Sequence, residues 1–475
     1  MIRRTIASAA AAFCLAFAAP AAAQSDFPAQ MPATGTPKPF TVPASESFTL
    51  PNGLNVTLIP YGITPTAVVS LRVYAGGLNQ GEDIWLPRLT AQMLSEGAAG
   101  RTGAQIAEAA AGMGGNLAVG SGLHETSVTL NVLSEFTPDA IRLISDVVRR
   151  PDFPASELER VRADLARNLA VAKSQPQPAA DVALASAYYG ADHPYGRLFP
   201  TDAQLGGYGI DDIRRFYDAN YGARRARLYV AGRFDAAAVR TAIEQAYSDW
   251  AAGPERLRLP PQPKAGPRVI LVDRPGAPQS TVRLAFPAPV AGTAGDIPMR
   301  VSNALLGGAF SSRITTNIRE AKGYTYSPFS TTAFNPGQAL WTFNADVTTD
   351  VTGPALKEVF HEIRRMQTEA IPEPEATGMR TYLAGVFVLQ NASPAGLINQ
   401  IATRDFHGLP SNWLDTYVQN VLAVTAPGMQ QSVAQALPLD KATLVVVGDL
   451  AKVTPQLKAL PELKGVEFQT VKPFG

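Results

Sequence analysis

Four histidines, His124, His193, His361 and His407, are the chain's only imidazoles. A catalytic zinc site built from them would polarise a carbonyl and activate a bound water. It needs two or three nitrogen or sulfur ligands, commonly spaced so that one helix face presents a pair. No two of these histidines have that spacing. His124 opens a strand in Gly-Leu-His-Glu, His193 precedes Pro194 in a turn, His361 lies on a charged helix and His407 adjoins Gly408. By residue type they read as four unrelated surface or boundary histidines. Nucleophilic chemistry fares no better. The single cysteine, Cys14, falls in an N-terminal apolar segment, and no Gly-x-Ser-x-Gly elbow is present. Gly76-Gly77, Gly114-Gly115 and Gly307-Gly308 lack the Gly-x-x-x-x-Gly-Lys pattern of a phosphate loop. Read by itself, the chain has no catalytic engine.

The elements that would have to position any chemistry are those of a large globular chain. Its 475 residues are 46% hydrophobic and 17% charged, with a formal net charge of +1, which excludes disorder and leaves no electrostatic case for a nucleic-acid or membrane-surface partner. Arg3 and Arg4 precede an Ala-rich apolar stretch that ends at Ala21-Ala22-Ala23, the layout of a secretory signal peptide. The expectation is therefore cleavage after residue 23 and a periplasmic or secreted location. The mature chain would hold no thiol and would rely on large cores rather than disulfides. Residues 24–45 read as an extended N-terminal arm and 251–267 as a linker, both rich in Pro and small residues. They bound two halves, 46–250 and 268–475.

The halves repeat one another. Each opens with a pair of strands, Leu54 to Ile59 with Val68 to Tyr74, and Val269 to Asp273 with Thr281 to Phe286. A helix stopped by glycine follows, Leu86 to Glu96 or Pro298 to Leu306, and then a second helix ending at Gly112 or Gly323. After another strand, Thr126 to Leu133 or Ala339 to Val347, come two longer helices. These are Pro138 to Val148 and Ser156 to Ala172, against Pro354 to Glu369 and Glu373 to Leu389. Both halves close with a helix and a strand–helix unit, the strands being Ala226 to Ala231 and Ala442 to Val447. That order predicts two α+β domains related by duplication.

Leu50-Pro-Asn-Gly-Leu54, Gly114-Gly115, Pro154 to Leu165, and Leu306-Gly-Gly-Ala-Phe-Ser-Ser-Arg313 through Tyr326 together resemble the pitrilysin/insulysin superfamily of zinc peptidases. The likeness is to its short-chain branch, which includes mitochondrial processing peptidase and paired bacterial subunits. It covers nearly all of residues 46–470 and implies two homologous domains, each a mainly antiparallel sheet packed with helices. Catalytic members carry an inverted His-x-x-Glu-His on the first helix. At that position this chain reads Arg88-Leu-Thr-Ala91-Gln92. Arg88 places a fixed positive charge where a metal ion would sit, Ala91 has no proton acceptor and Gln92 is a poor ligand. Only Glu159 matches the family's downstream carboxylate, and one carboxylate does not hold zinc. A solvated helix-face Glu paired with Arg162 explains it better. Ala118 in Leu117-Ala118 replaces an asparagine usual in catalytic members.

The second half keeps what the first lost. The resemblance implies an Arg and a Tyr seven residues apart, and Arg319-Glu-Ala-Lys-Gly-Tyr-Thr-Tyr326 supplies them. Lys322-Gly323 should end a helix just past Arg319, and Tyr324 to Phe329 should start a strand that sends Tyr324 and Tyr326 to one face. From residue types alone, Arg319 would be a helix C-terminal charge and Tyr326 a core aromatic; the matched spacing favours a pair of donors to a peptide carbonyl or its oxyanion. The implied function is the non-zinc subunit of an exported heterodimeric metallopeptidase, inactive alone and binding no cofactor. Its partner would be a homologous His-x-x-Glu-His chain carrying zinc, its substrates peptides or unfolded segments, and it would have no nucleic-acid partner. Two rivals remain, a structural scaffold subunit and a peptide-binding protein without hydrolysis.

Overall fold

The computed structural model describes residues 40–261, 263, 264, 266 and 268–474. The signal peptide and most of the arm predicted for 24–45 lie outside the described residues. The last few residues of that arm dock on the second half. Phe40 meets Phe387 edge to face at 5.3 Å, and the Val42 N–H donates to Asp415 Oδ1 at 3.0 Å.

Two six-stranded sheets organise the protein. The first is built from β1 (Glu46–Thr49), β2 (Asn55–Pro60), β3 (Thr66–Val73), β6 (Leu117–Ser121), β7 (Thr126–Leu133) and β8 (Ala226–Gly232) in the order β1-β2-β8-β3-β7-β6. A two-stranded ribbon of β4 (Gly97–Ala98) and β5 (Arg101–Thr102) stands apart. The second sheet holds β9 (Arg268–Asp273), β10 (Gln279–Ala288), β11 (Phe329–Asn335), β12 (Gln338–Thr348), β13 (Thr443–Gly448) and β14 (Glu467–Thr470) in the order β11-β12-β10-β13-β9-β14. Reversed, the run β9-β13-β10-β12-β11 reproduces β2-β8-β3-β7-β6. Even the parallel pairing of opening and closing strand recurs, Asn55 opposite Arg227 and Arg268 opposite Thr443. Duplication is thus visible in topology as well as in element order. The remaining pairings are antiparallel, except that β14 also runs parallel to β9.

Several strands are apolar without alternation because both faces are covered. In β13, Leu444 and Val446 join the core of the second half, while Val445 and Val447 point the other way. That other face is covered by the helix Pro176–Tyr189, contributed by the first half through Ala179, Ala180, Ala183, Leu184 and Tyr188. The arrangement is reciprocal. Leu228 and Val230 of β8 belong to the first core, whereas Tyr229 and Ala231 join the second, under the helix Pro394–His407. Ion pairs fix both exchanged helices: Arg283 to Asp181 at 2.8 Å, and Arg227 to Asp405 at 3.3 Å. Each half lends the other a helix, so the two pack as one body.

The predicted elements correspond closely to those observed, with two corrections around the Arg–Tyr segment. The helix placed before Gly323 is wound largely as a π-helix over Thr315–Ala321. The strand expected from Tyr324 begins only at Phe329; before it, a single bridge joins Thr325 to Val347. Tyr324 consequently packs against the core whereas Tyr326 is 79% exposed, so the two do not share a face.

Candidate functional site

The helix Leu86–Leu94 carries the positions where catalytic members would hold metal. It starts from Trp85, whose φ of +68° is a strained conformation for a bulky residue. Trp85 is locked there by its indole N–H, which donates to the Leu198 carbonyl at 2.9 Å. The Arg88 guanidinium lies over the same ring, 4.6 Å from its centroid, and burial lowers its pKa from the ordinary value. Ala91 is buried. The Gln92 Oε1 and the Thr90 hydroxyl are buried with no hydrogen-bond partner among the described residues. Glu159, on the helix Ala155–Ser174, is 80% exposed and pairs with Arg162 three residues on. Among the described residues no group of three or more His, Cys, Asp and Glu side chains converges as a metal site would require. Zinc does not fit the residues present, because a guanidinium cannot lose its proton to become a ligand. Elemental analysis of the protein purified alone is expected to find well under one zinc per chain; a stoichiometric content would overturn this reading of Arg88 and Gln92.

Gly114-Gly115 serves backbone geometry instead. Gly114 has φ +82°, and a Cβ on Gly115 would sit 1.9 Å from the Asn131 carbonyl oxygen. Glycine lets the chain close against β7 and start β6, the edge strand on which Ala118 is exposed.

Arg319 and Tyr326 are brought together, and a third residue joins them. The Arg319 guanidinium lies 5.0 Å from the Tyr326 ring centroid and 4.4 Å from that of Phe310. Phe310 is 72% exposed. The exposed Tyr326 ring is not a core aromatic, whereas Arg319 does lie in the last turn of its helix, where it also pairs with Glu320 at 3.2 Å. The support beneath is rigid. Asn317 donates to Glu358 Oε2 at 3.1 Å and Glu362 Oε1 at 2.7 Å, and Lys322 pairs with Glu358 at 3.2 Å. These bonds fasten the π-helical turn to the helix Thr352–Thr368. Such single wide turns recur at functional sites because they project a side chain that regular α-winding would turn elsewhere. On the far side, the Thr325 hydroxyl donates to the Asp346 carbonyl at 2.7 Å, pinning the backbone beside Tyr326 to β12. Phe310 was not singled out from sequence. Its signal, an aromatic in a Gly-Gly-Ala-Phe-Ser-Ser turn with no periodic apolar neighbours, was available.

The histidines need a correction too. His124 and His407 are not unrelated: both flank Phe406, with ring centroids 4.9 Å away in each case, and both line one cavity between the halves. Burial, helped by Arg300, pushes the His407 pKa down to about 4, while the nearby Asp296 opposes the shift and His124 and Arg256 add to it. Because the folded state resists protonation, stability is retained above the unfolded pKa near 6.5 and declines as pH falls from about 6.5 toward 4. In His407→Asn, which does not titrate, thermal melts are expected to show a shallower loss over that window; an unchanged pH profile would refute the assignment.

Two family models match the chain: insulinase (peptidase family M16) over residues 58–200, and the peptidase M16 inactive domain over residues 209–382. An uncharacterized zinc protease of Mycobacterium tuberculosis is 26% identical over 366 residues, covering 75% of this chain and 80% of its own. A Helicobacter pylori protein described as a non-peptidase homolog is 19% identical over 396 residues, covering 82% and 90%. In structure, the chain is similar to a peptidase M16 inactive domain from Pseudomonas fluorescens, with TM-score 0.78 and 22% identity over 85% of this chain and 98% of that one. It is also similar to a protease from Helicobacter pylori, with TM-score 0.79 and 16% identity over 86% and 100%.

Proposed function

The chain belongs to the M16 (insulinase/pitrilysin) peptidase family as a member without the metal-binding residues, and from that premise we propose that it is the non-zinc subunit of an exported heterodimeric peptidase. A separate, homologous His-x-x-Glu-His chain carries the zinc and the hydrolysis. This chain contributes Arg319 and Tyr326, which donate hydrogen bonds to the carbonyl oxygen of the peptide bond being cleaved and to the oxyanion it becomes. The observation that carries the reading is the surface position of that pair. The guanidinium sits against Phe310 and Tyr326, both largely exposed, and pairs through Nε with the adjacent Glu320 at 3.2 Å, which leaves its terminal N–H groups for a substrate carbonyl. Unfolded peptides suit the site, because a main-chain carbonyl is the one feature common to all of them.

The test is reconstitution. Alone, the protein is expected to cleave no peptide; mixed with an exported partner bearing His-x-x-Glu-His and recovered with it from the native envelope, it raises the partner's peptide turnover. Chelator-sensitive cleavage by the isolated chain would sink the proposal, as would a candidate partner whose activity is the same with and without it. A scaffold subunit would co-purify equally well but would leave turnover indifferent to the Arg–Tyr pair.

A further inference from the structure

A cavity of about 560 Å³ lies where the two halves meet, and neither Arg319 nor Tyr326 lines it. Its walls come from the start of β8, the turn between β6 and β7, the end of the helix Pro394–His407 and the extended segment around Arg256 to Pro260. Four arginines line it, Arg224, Arg227, Arg256 and Arg258, against one carboxylate, Asp405. That carboxylate is already committed. It takes Arg227 at 3.3 Å, Arg404 at 2.8 Å and the Tyr229 hydroxyl at 3.1 Å. Arg224 reaches Glu255 outside the cavity wall at 3.4 Å. Arg256 and Arg258 have no carboxylate within ion-pair distance among the described residues.

Arg256 is the more telling of the two. Its guanidinium lies against Tyr74 of the first half, 4.0 Å to the centroid, and Phe406 of the second, 4.5 Å, two rings that also meet each other at 6.0 Å. Because the rings touch, they do not cover opposite faces of the group; of its N–H donors, Nη1 reaches the Phe406 carbonyl at 3.3 Å and the others, unpaired among the described residues, are free for a ligand. Burial, reinforced by the neighbouring cations Arg258 and Arg227, weakens its hold on the proton. A partly desolvated cation with spare edge donors and a second cation beside it is the geometry that takes a carboxylate in two-point contact. The volume is that of a small-molecule pocket, and the aromatic walls have no purpose for a bare inorganic anion.

We propose that this cavity binds a small organic carboxylate with an aromatic or apolar body, the carboxylate held by Arg256 and Arg258 and the body lying against Tyr74, Tyr195 and Phe406. Its walls belong to both halves and to the segment joining them, so the ligand ties the halves together. The proposal is independent of the peptidase reading and stands or falls without a partner subunit.

Calorimetric titration of the purified chain with N-acetylphenylalanine, its uncharged amide and inorganic phosphate tests it. Saturable one-to-one binding of the acid is expected, with the amide and phosphate each about tenfold weaker or worse. Arg258→Gln changes an exposed side chain, so it should weaken the acid about tenfold while leaving the melting temperature in place. Arg256→Gln should weaken it similarly and also lower the melting temperature, because Arg256 touches rings of both halves. Three results would each overturn the proposal: no heat from the acid at millimolar concentration, phosphate binding as tightly as the acid, or acid binding indifferent to Arg258→Gln and Arg256→Gln alike.

Discussion

In a reconstituted pair, Arg319→Ala is expected to lower turnover by about 10²- to 10³-fold, the usual loss when one preorganised donor to a developing oxyanion is removed. Tyr326→Phe, which deletes a hydroxyl and keeps the ring, should cost a comparable factor. The subunits should stay associated in both variants, because the two side chains lie on the surface and neither anchors a core. Phe310 allows a finer separation. Phe310→Ala leaves both donors in place but removes one wall of the clamp, so kcat should fall less than in Arg319→Ala. Lysine at 319 keeps the charge but not the planar fork, and should rescue little of the lost rate. Stopped-flow turnover with a fluorogenic peptide, together with size-exclusion analysis of each variant, reads these outcomes. Wild-type turnover in both Arg319→Ala and Tyr326→Phe would return the pair to a decorative surface cluster and leave the scaffold reading in possession.

The largest stability effect is expected at Asp405. This carboxylate is 13% exposed and accepts from Arg227, Arg404 and Tyr229, two of which belong to the opposite half. Asp405→Ala leaves a half-buried guanidinium and a buried phenol without their acceptor. Removing one partner of a buried pair typically costs about 3–5 kcal/mol. Arg227 is 30% exposed, so solvent screening should bring the figure to about 3 kcal/mol or below. The loss should appear in denaturant melts as a lower midpoint, or as a separate early transition if the helix Pro394–His407 leaves the first sheet before the rest unfolds. Asp405→Asn keeps an acceptor and should lose distinctly less. Equal stability of Asp405→Ala and wild type would show that apolar packing under Tyr229 and Ala231 alone holds the exchanged helix.

Much of the architecture was legible because short-range patterns carry it. Strand Thr126–Leu133 alternates buried and less buried residues and was delimited correctly, and the helix Glu373–Gln390 was placed to within a residue. The two exchanged helices were not read. Pro176–Tyr189 opens with two prolines and buries mostly alanine, so its periodicity is faint, and only the second sheet beneath it gives those alanines a reason. The helix Pro394–His407 likewise answers to Tyr229 and Ala231, more than 160 residues earlier in the chain.

The site divides in the same way. That Arg88, Ala91 and Gln92 make a poor ligand set for zinc followed from their residue types, once the resemblance had placed them at the metal positions. The spacing of Arg319 and Tyr326 was equally plain in the chain, but spacing does not say whether a side chain faces core or water. Tertiary structure decided that Tyr326 is exposed while Tyr324 is packed, that Phe310 closes on Arg319, and that His124, His407 and Arg256 share one cavity. Those facts depend on how two sheets and two exchanged helices fit together, and contacts between residues hundreds apart leave no period in a sequence.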